Sequence, residues 1–352
     1  MSKRNTALRL TIAVLVGVMA FSSAQGQHSI PEVTIQKDSS SGELNVSNSG
    51  ERVTLKAGTL AGVLHGNVSN AGRDGAGFNP LRYTDHPNST LYRPDQVGLN
   101  FEHIFNGLAR DYEPSFFTPR VDRNYLVVHS EKRASIRFES ESCTWGIGST
   151  MTYTFREPHF VDLTFRCTPT ADRFDKGYAA MMWASYMNRT RSREIYFLGR
   201  EGGSEGWITF GNILDGELEV GTIAHVDASP LPYEKKSRTL NIVEHPTKKF
   251  IEPFYYGLVD GDNDLKTEDD TLVYIMMFDQ TAPIRFAMWN FIRNAEGKPD
   301  THSPAWDWQY VIRDPKMGHT YGYRARVVIK PWVDRDDVVQ EYRSWHKGLD
   351  RN

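Results

Sequence analysis

The 352-residue sequence predicts an all-β protein, a large antiparallel β-sandwich closed by a short C-terminal helix. Three observations lead there. Short runs rich in β-branched and aromatic residues follow one another to about residue 330, and several alternate apolar with polar side chains. Amphipathic helical spacing is scarce before the last twenty residues. No stretch repeats at the period of a propeller or solenoid. No Pro/Gly/Ser-rich linker divides the middle, so residues 51–352 read as a single sandwich domain behind a polar N-terminal segment, 25–50. Sheets stacked over such a length must be large.

In chain order, residues 1–24 read as an export signal. Lys3, Arg4 and Arg9 precede an apolar run over 10–21, and Ser22-Ser23-Ala24 makes a small-residue cleavage site. The run is too short for a membrane span, and no later stretch is long and apolar enough for one. The expected location is periplasmic or extracellular. Edge strands are expected near 33–36 and 44–46. Residues 62–96, rich in Gly, Asn, Asp, His and Pro, read as a long loop forming one wall of a cleft. Met151-Thr152-Tyr153-Thr154-Phe155 and Val161-Asp162-Leu163-Thr164-Phe165 alternate cleanly and predict a hairpin turning at Pro158. Further strands are expected at 125–130, 135–140, 193–198, 207–210, 272–278, 284–289, 308–312 and 323–329. Asp334 can cap a helix over 335–347, with Val338, Val339, Tyr342 and Trp345 on one face and Gly348 stopping it.

The net charge is -3, and losing residues 1–24 would remove three cations and no acids. Such a balance argues against nucleic acid or an anionic membrane surface as partner. Aromatic residues make up 12% of the chain, which suits strands and aromatic-lined clefts. Cys143 and Cys167 flank the central hairpin, and in an oxidising compartment they read as one disulfide between neighbouring strands, with two separate buried thiols as the alternative. Nothing in the sequence bears on oligomeric state.

The chemistry-bearing stretches point to sugars. In Ser303-Pro304-Ala305-Trp306-Asp307-Trp308-Gln309-Tyr310, strand alternation puts Trp306, Trp308 and Tyr310 on one face and Asp307 and Gln309 on the other. Rings beside a carboxylate suit a saccharide, whose C–H faces stack and whose hydroxyls bind carboxylates. The same rings would equally serve as core. In 98–107, regular alternation would send Glu102 and His103 to opposite faces, Glu102 with Asn100 and Ile104, His103 with Phe101 and Phe105. Trp183, Tyr186 and Asn188 are candidate sugar contacts, as are Tyr255 and Tyr256. Asp260-Gly261-Asp262-Asn263-Asp264 spaces its oxygens as calcium loops do, although it lacks the glycine and final glutamate of an EF-hand. Calcium is the one cofactor it suggests, and a solvated acidic turn is the simpler account. No zinc spacing or phosphate loop is present.

The hairpin from Thr150 to Arg166 resembles the central hairpins of galactose-mutarotase-like supersandwich proteins, which implies a fold only. The runs 98–107, 253–258 and 304–309, with Tyr321-Gly322-Tyr323-Arg324-Ala325-Arg326, resemble uncharacterised exported proteins of polysaccharide-degrading bacteria. Neither resemblance carries a catalytic residue over.

Together these readings predict an exported carbohydrate-active enzyme acting on a glycan. A glycoside hydrolase would use Glu102 and Asp307 as a carboxylate pair, with Glu205 and Asp260 as substitutes. A polysaccharide lyase would need a base such as His103 or Tyr255 and a cation such as Arg285 to neutralise a uronate. A glycan-binding protein would have the aromatics without facing ionisable groups.

Overall fold

The computed structural model describes residues 36–37, 44–46, 52–70, 73–108, 120, 122–214, 217–234, 242–288, 296–298 and 300–349. The expected export signal, and residues 33–35 of the strand expected at 33–36, lie outside them.

The strands are β1 (Gln36–Lys37), β2 (Leu44–Val46), β3 (Arg52–Ala57), β4 (Leu60–Asn70), β5 (Arg73–Tyr83), β6 (Asn100–Phe105), β7 (Asn124–Ser130), β8 (Arg133–Phe138), β9 (Ile147–Arg156), β10 (Phe160–Pro169) and β11 (Tyr178–Ala184). They continue with β12 (Ile195–Glu201), β13 (Ser204–Phe210), β14 (Ile213–Leu214), β15 (Glu217–Leu218), β16 (Gly221–Ala224), β17 (Lys249–Phe250), β18 (Phe254–Val259), β19 (Leu272–Phe278), β20 (Ile284–Met288), β21 (Trp306–Arg313) and β22 (Tyr321–Pro331). One helix among the described residues, α1 (Arg335–Leu349), closes the chain.

A 12-stranded antiparallel sheet runs β1-β2-β7-β8-β9-β10-β22-β19-β18-β12-β13, with β17 beside β12. A 5-stranded sheet in the order β16-β20-β21-β11-β6 is the second layer, and β3-β4-β5 form a third, 3-stranded sheet. The architecture is therefore all-β, as the alternation predicts.

The inward faces share one apolar core. Met151, Tyr153 and Phe155 of β9 and Val161, Leu163 and Phe165 of β10 meet Met181 and Trp183 of β11 and Trp306, Trp308 and Tyr310 of β21. Trp183 stacks on Trp308 with ring centroids 5.5 Å apart and planes 4° from parallel, and on Phe101 at 4.6 Å. Trp306 Nε1 donates to the Arg193 carbonyl at 2.9 Å and Trp308 Nε1 to Tyr323 Oη at 2.8 Å. Buried indoles with satisfied N–H groups are core residues. Trp183 is equally buried, although its Nε1 has no partner among the described residues, and the suggestion that the three stack on a sugar is corrected, because Trp183 and Trp308 face one another and Trp306 packs on Tyr274 at 5.8 Å. Tyr255 is likewise fully buried on this side. Burial, first of all, drives its phenol well above the usual value.

Three further expectations change. Residues 62–96 are largely ordered as the β4–β5 hairpin rather than a loop. Its glycines serve close packing: a Cβ on Gly62 would meet Leu81 and Phe78 at 2.9 Å. Cys143 and Cys167 are separate buried thiols. Cys143 sits in the turn after β8 with its Sγ 3.8 Å from Arg120 Nη2, while Cys167 lies on β10 opposite Ser149 of β9. Tyr256 faces the opposite side of the large sheet, stacked between Tyr196 at 5.0 Å and Trp332 at 5.3 Å.

Helix α1 covers part of that outer face. Asp334 Oδ1 accepts the Asp337 N–H at 2.8 Å, the expected cap. Val338, Tyr342 and Trp345 are buried against Phe254, Val273 and Val328. The helix runs on to Leu349, one residue past Gly348.

Candidate functional site

The outer face of the 5-stranded sheet gathers most of the ionisable candidates. On β21, the partners of the buried tryptophans, Asp307 and Gln309, point outward as their alternation requires. The register carries a row across the sheet: His103 lies opposite Met182, Met182 opposite Gln309, Gln309 opposite Arg285, and Arg285 opposite Ala224.

Strand β6 departs from regular alternation. Phe101 pairs with Trp183 and His103 with the adjacent Met182, so Glu102 is one extra residue on the β6 side. This is a β-bulge. Phe101 and Ile104, three positions apart, both enter the inner core. Glu102 and His103 are left together on the outer face, with His103 Nε2 3.8 Å from Glu102 Oε2. The expectation of opposite faces fails here because a bulge is decided by the partner strand, which the local sequence does not show.

Tyr186 completes the cluster. Its Oη donates to Glu102, 3.2 Å from Oε1 and 3.3 Å from Oε2. Glu102 is 1% exposed and His103 7% exposed, whereas Tyr186 is half-buried. A ligand arriving from solvent therefore meets the phenol first. The chain around Tyr186 is held from both sides. The Arg93 N–H donates to its carbonyl at 2.9 Å, and Tyr186 bridges to Ala305. Asp307 Oδ1 accepts the Ser185 N–H at 3.1 Å, and the Trp306 N–H donates to the Ser185 carbonyl at 3.0 Å. Asp307 thus braces the residue before Tyr186. Its backbone stands two strands from Glu102, roughly 10 Å at ordinary sheet spacing.

Arg285 lies at the far side of the same face, three strands from His103, roughly 14 Å. It is 1% exposed, with Nη2 3.0 Å and Nε 3.3 Å from Glu244 Oε1. Lys249 holds the other Glu244 oxygen at 2.7 Å. Burial lowers the guanidinium's pKa and Glu244 opposes that shift. Arg285 Nη1 and Tyr178 Oη are buried polar atoms without a hydrogen-bond partner among the described residues, although buried polar atoms are ordinarily paired. Glu244 and Tyr178 belong to this face and were not foreseen. Glu244 sits outside any strand, so no periodicity announces it.

The remaining candidates lie elsewhere. Glu205 is exposed and paired with Arg200. Asn188 bridges the Thr90 carbonyl at 3.1 Å and Asn263 Oδ1 at 3.0 Å, tying two loops together. Asp260, Asp262 and Asp264 bring carboxylate oxygens within 4.8 Å of one another. These oxygens already have partners. Arg191 Nη2 is 2.6 Å from Asp260 Oδ1, Lys266 Nζ is 2.8 Å from Asp264, and the Leu265 and Asp264 N–H groups donate to Asp260 and Asp262. The donor set suits a self-satisfied acidic turn at least as well as a calcium ion.

No family model matches the chain, and no curated protein matches it. Among solved structures the chain is similar to a putative aldose 1-epimerase from Escherichia coli K12, at 12% identity and a TM-score of 0.42, over 80% of this chain and 99% of that one. It is similar to a galactose mutarotase-like protein from Lactobacillus casei at 8% identity and a TM-score of 0.44, over 80% of this chain and 100% of that one. It is also similar to a mutant of the heparan sulfate lyase HepC from Pedobacter heparinus at 8% identity and a TM-score of 0.41, over 83% of this chain but 37% of that one.

Proposed function

We propose that this protein is an exported carbohydrate-active enzyme that moves a proton on or off a glycan. The chemistry would belong to Tyr186, Glu102 and His103. One observation carries the reading: the bulge at Glu102 sets a buried carboxylate against a half-exposed phenol at 3.2 Å and an imidazole at 3.8 Å. Such contiguous groups suit general acid–base catalysis. Tyr186 Oη meets the substrate and passes its own proton to Glu102 as it takes one from the sugar. His103 is the second titratable group and returns a proton to the departing oxygen.

This arrangement favours β-elimination on a uronate-containing chain. The base takes the proton beside the carboxylate, the C–O bond to the next sugar breaks, and the leaving oxygen is protonated. Arg285, on the same face, is buried against Glu244 and too far from Tyr186 to be the cation that neutralises that carboxylate. Hydrolysis by the Glu102 and Asp307 pair is the second reading, because both residues lie on this face. Their backbones stand near the upper end of the span an inverting pair uses, about 6.5–9.5 Å. Asp307 also has a structural duty at the Ser185 N–H, which weakens its claim.

The test is a panel of neutral and uronate-containing polysaccharides, scored for reducing ends and for the absorbance of unsaturated uronate. Elimination gives both signals on acidic chains. Hydrolysis gives reducing ends alone. No product from any member would leave glycan binding as the function.

A further inference from the structure

The outer face of the large sheet carries a different kind of surface beside α1. Two adjoining depressions, of about 600 Å³ and about 300 Å³, lie over β8, β9, β10 and β22. Their floor follows directly from the register. Arg133 stands opposite Thr154, Thr154 opposite Asp162, and Asp162 opposite Arg326. In the row two residues along, Thr152, Thr164 and Arg324 stand side by side, and beyond them Arg137, Thr150 and Arg166.

Charge is strongly one-sided here in a chain whose net charge is -3. Six arginines line the two depressions against Asp162 alone. Asp162 is gripped by Arg156 at 2.5 Å and Arg326 at 2.5 Å, and Arg324 reaches Asp279 at 3.2 Å. Arg133, Arg137 and Arg166 are exposed, and no ion pair among the described residues involves them. Two acids on neighbouring segments have cationic partners: Glu341 with Lys330, and Glu139 with Arg123 at 3.8 Å. Between the cations the floor is threonine hydroxyl, which can both donate to and accept from a sugar hydroxyl. The only rings lining either depression, Trp345 and Phe138, are 8% and 4% exposed, so nothing offers a stacking platform for bases.

We infer that this groove binds an anionic polysaccharide, its carboxylates or sulfates on Arg133, Arg137 and Arg166 and its hydroxyls on the threonines. The inference does not depend on catalysis at Tyr186. Arg133 and Arg137 stand four residues apart on one strand, roughly 13 Å, and Arg166 two strands from Arg137, roughly 10 Å. That spacing suits charges repeated along a chain better than a single compact anion.

The test uses the full chain at low ionic strength with polygalacturonate, heparin, dextran and a single-stranded oligonucleotide, measured by calorimetry. Binding to polygalacturonate or heparin, none to dextran, and weakening with salt are expected. The double variant Arg133→Gln/Arg166→Gln should bind at least tenfold more weakly, and Arg133→Lys/Arg166→Lys should keep most of the affinity. Arg200→Gln, which removes an exposed arginine elsewhere, should bind as the unmodified protein does. The three arginine variants should melt at the same temperature as the parent, since these side chains are exposed. Equal binding by the double glutamine variant, or tighter binding of the oligonucleotide than of either anionic polysaccharide, would overturn the inference.

Discussion

Glu102 and His103 are consecutive residues that share one face of a strand, His103 Nε2 lying 3.8 Å from Glu102 Oε2. Regular pleating forbids this, and the extra residue of the β6 bulge permits it. The candidate site depends on that irregularity. Without the bulge one of the two groups would point into the core beside Phe101 and Phe165, and Tyr186 would meet at most one of them.

The buried tryptophans should matter to stability and not to substrate. Trp308→Ala empties a site between Trp183, Phe278 and Tyr323 and should cost about 3–5 kcal/mol. Denaturant unfolding measures the loss. A variant of unchanged stability that binds glycan poorly would return Trp308 to the ligand-contact role.

Two free thiols should be countable. Burial pushes Cys167 up to about 12 and raises Cys143 as well. A thiol reagent should label neither in the native protein and both after denaturation without reductant. Finding no reactive thiol in the denatured chain would mean a disulfide after all.

Acid should weaken the attachment of α1. Glu341 faces His159 Nε2 at 3.6 Å and accepts from Lys330 at 2.5 Å, and these partners, His159 foremost, hold its carboxyl down at about 2. A depressed carboxyl stabilises the fold above its unfolded pKa of about 4.5, and that gain is lost as the pH falls through about 2. Glu341→Gln should therefore destabilise the protein at pH 7 by roughly 1 kcal/mol after solvent screening. Thermal melts of the two proteins should converge between about pH 4.5 and 2. A gap that persists unchanged at the acid end would exclude the ionic origin.

Divalent cations should leave the acidic turn as it is. Arg191 and Lys266 already neutralise Asp260 and Asp264. Melting with excess calcium and with chelator should give the same midpoint. A rise in calcium that Asp262→Asn abolishes would make the turn a binding site.

Much of this architecture can be read from alternation alone. The hairpin of β9 and β10, the cap at Asp334 and the division of Trp306 and Trp308 from Asp307 all follow from local periodicity. What escaped depends on contacts far apart in sequence. The bulge at Glu102 is set by Met182 and Trp183, some eighty residues away. The β4–β5 hairpin hides behind glycines that composition assigns to loops, yet a Cβ on Gly77 would lie 2.3 Å from the Gly98 carbonyl oxygen. A row of tryptophans looks alike whether it stacks on a sugar or on other rings. Only burial separates the two cases.

The central claim is proton transfer through Tyr186 to Glu102, and the decisive measurement is turnover by Tyr186→Phe and Glu102→Gln on whichever polysaccharide the unmodified protein cleaves. Both changes are nearly isosteric. Each should lower kcat at least about a hundredfold, the low end of general acid–base contributions, while the melting temperature barely moves. Full turnover by Tyr186→Phe, in a protein that still cleaves the polymer, would contradict the account.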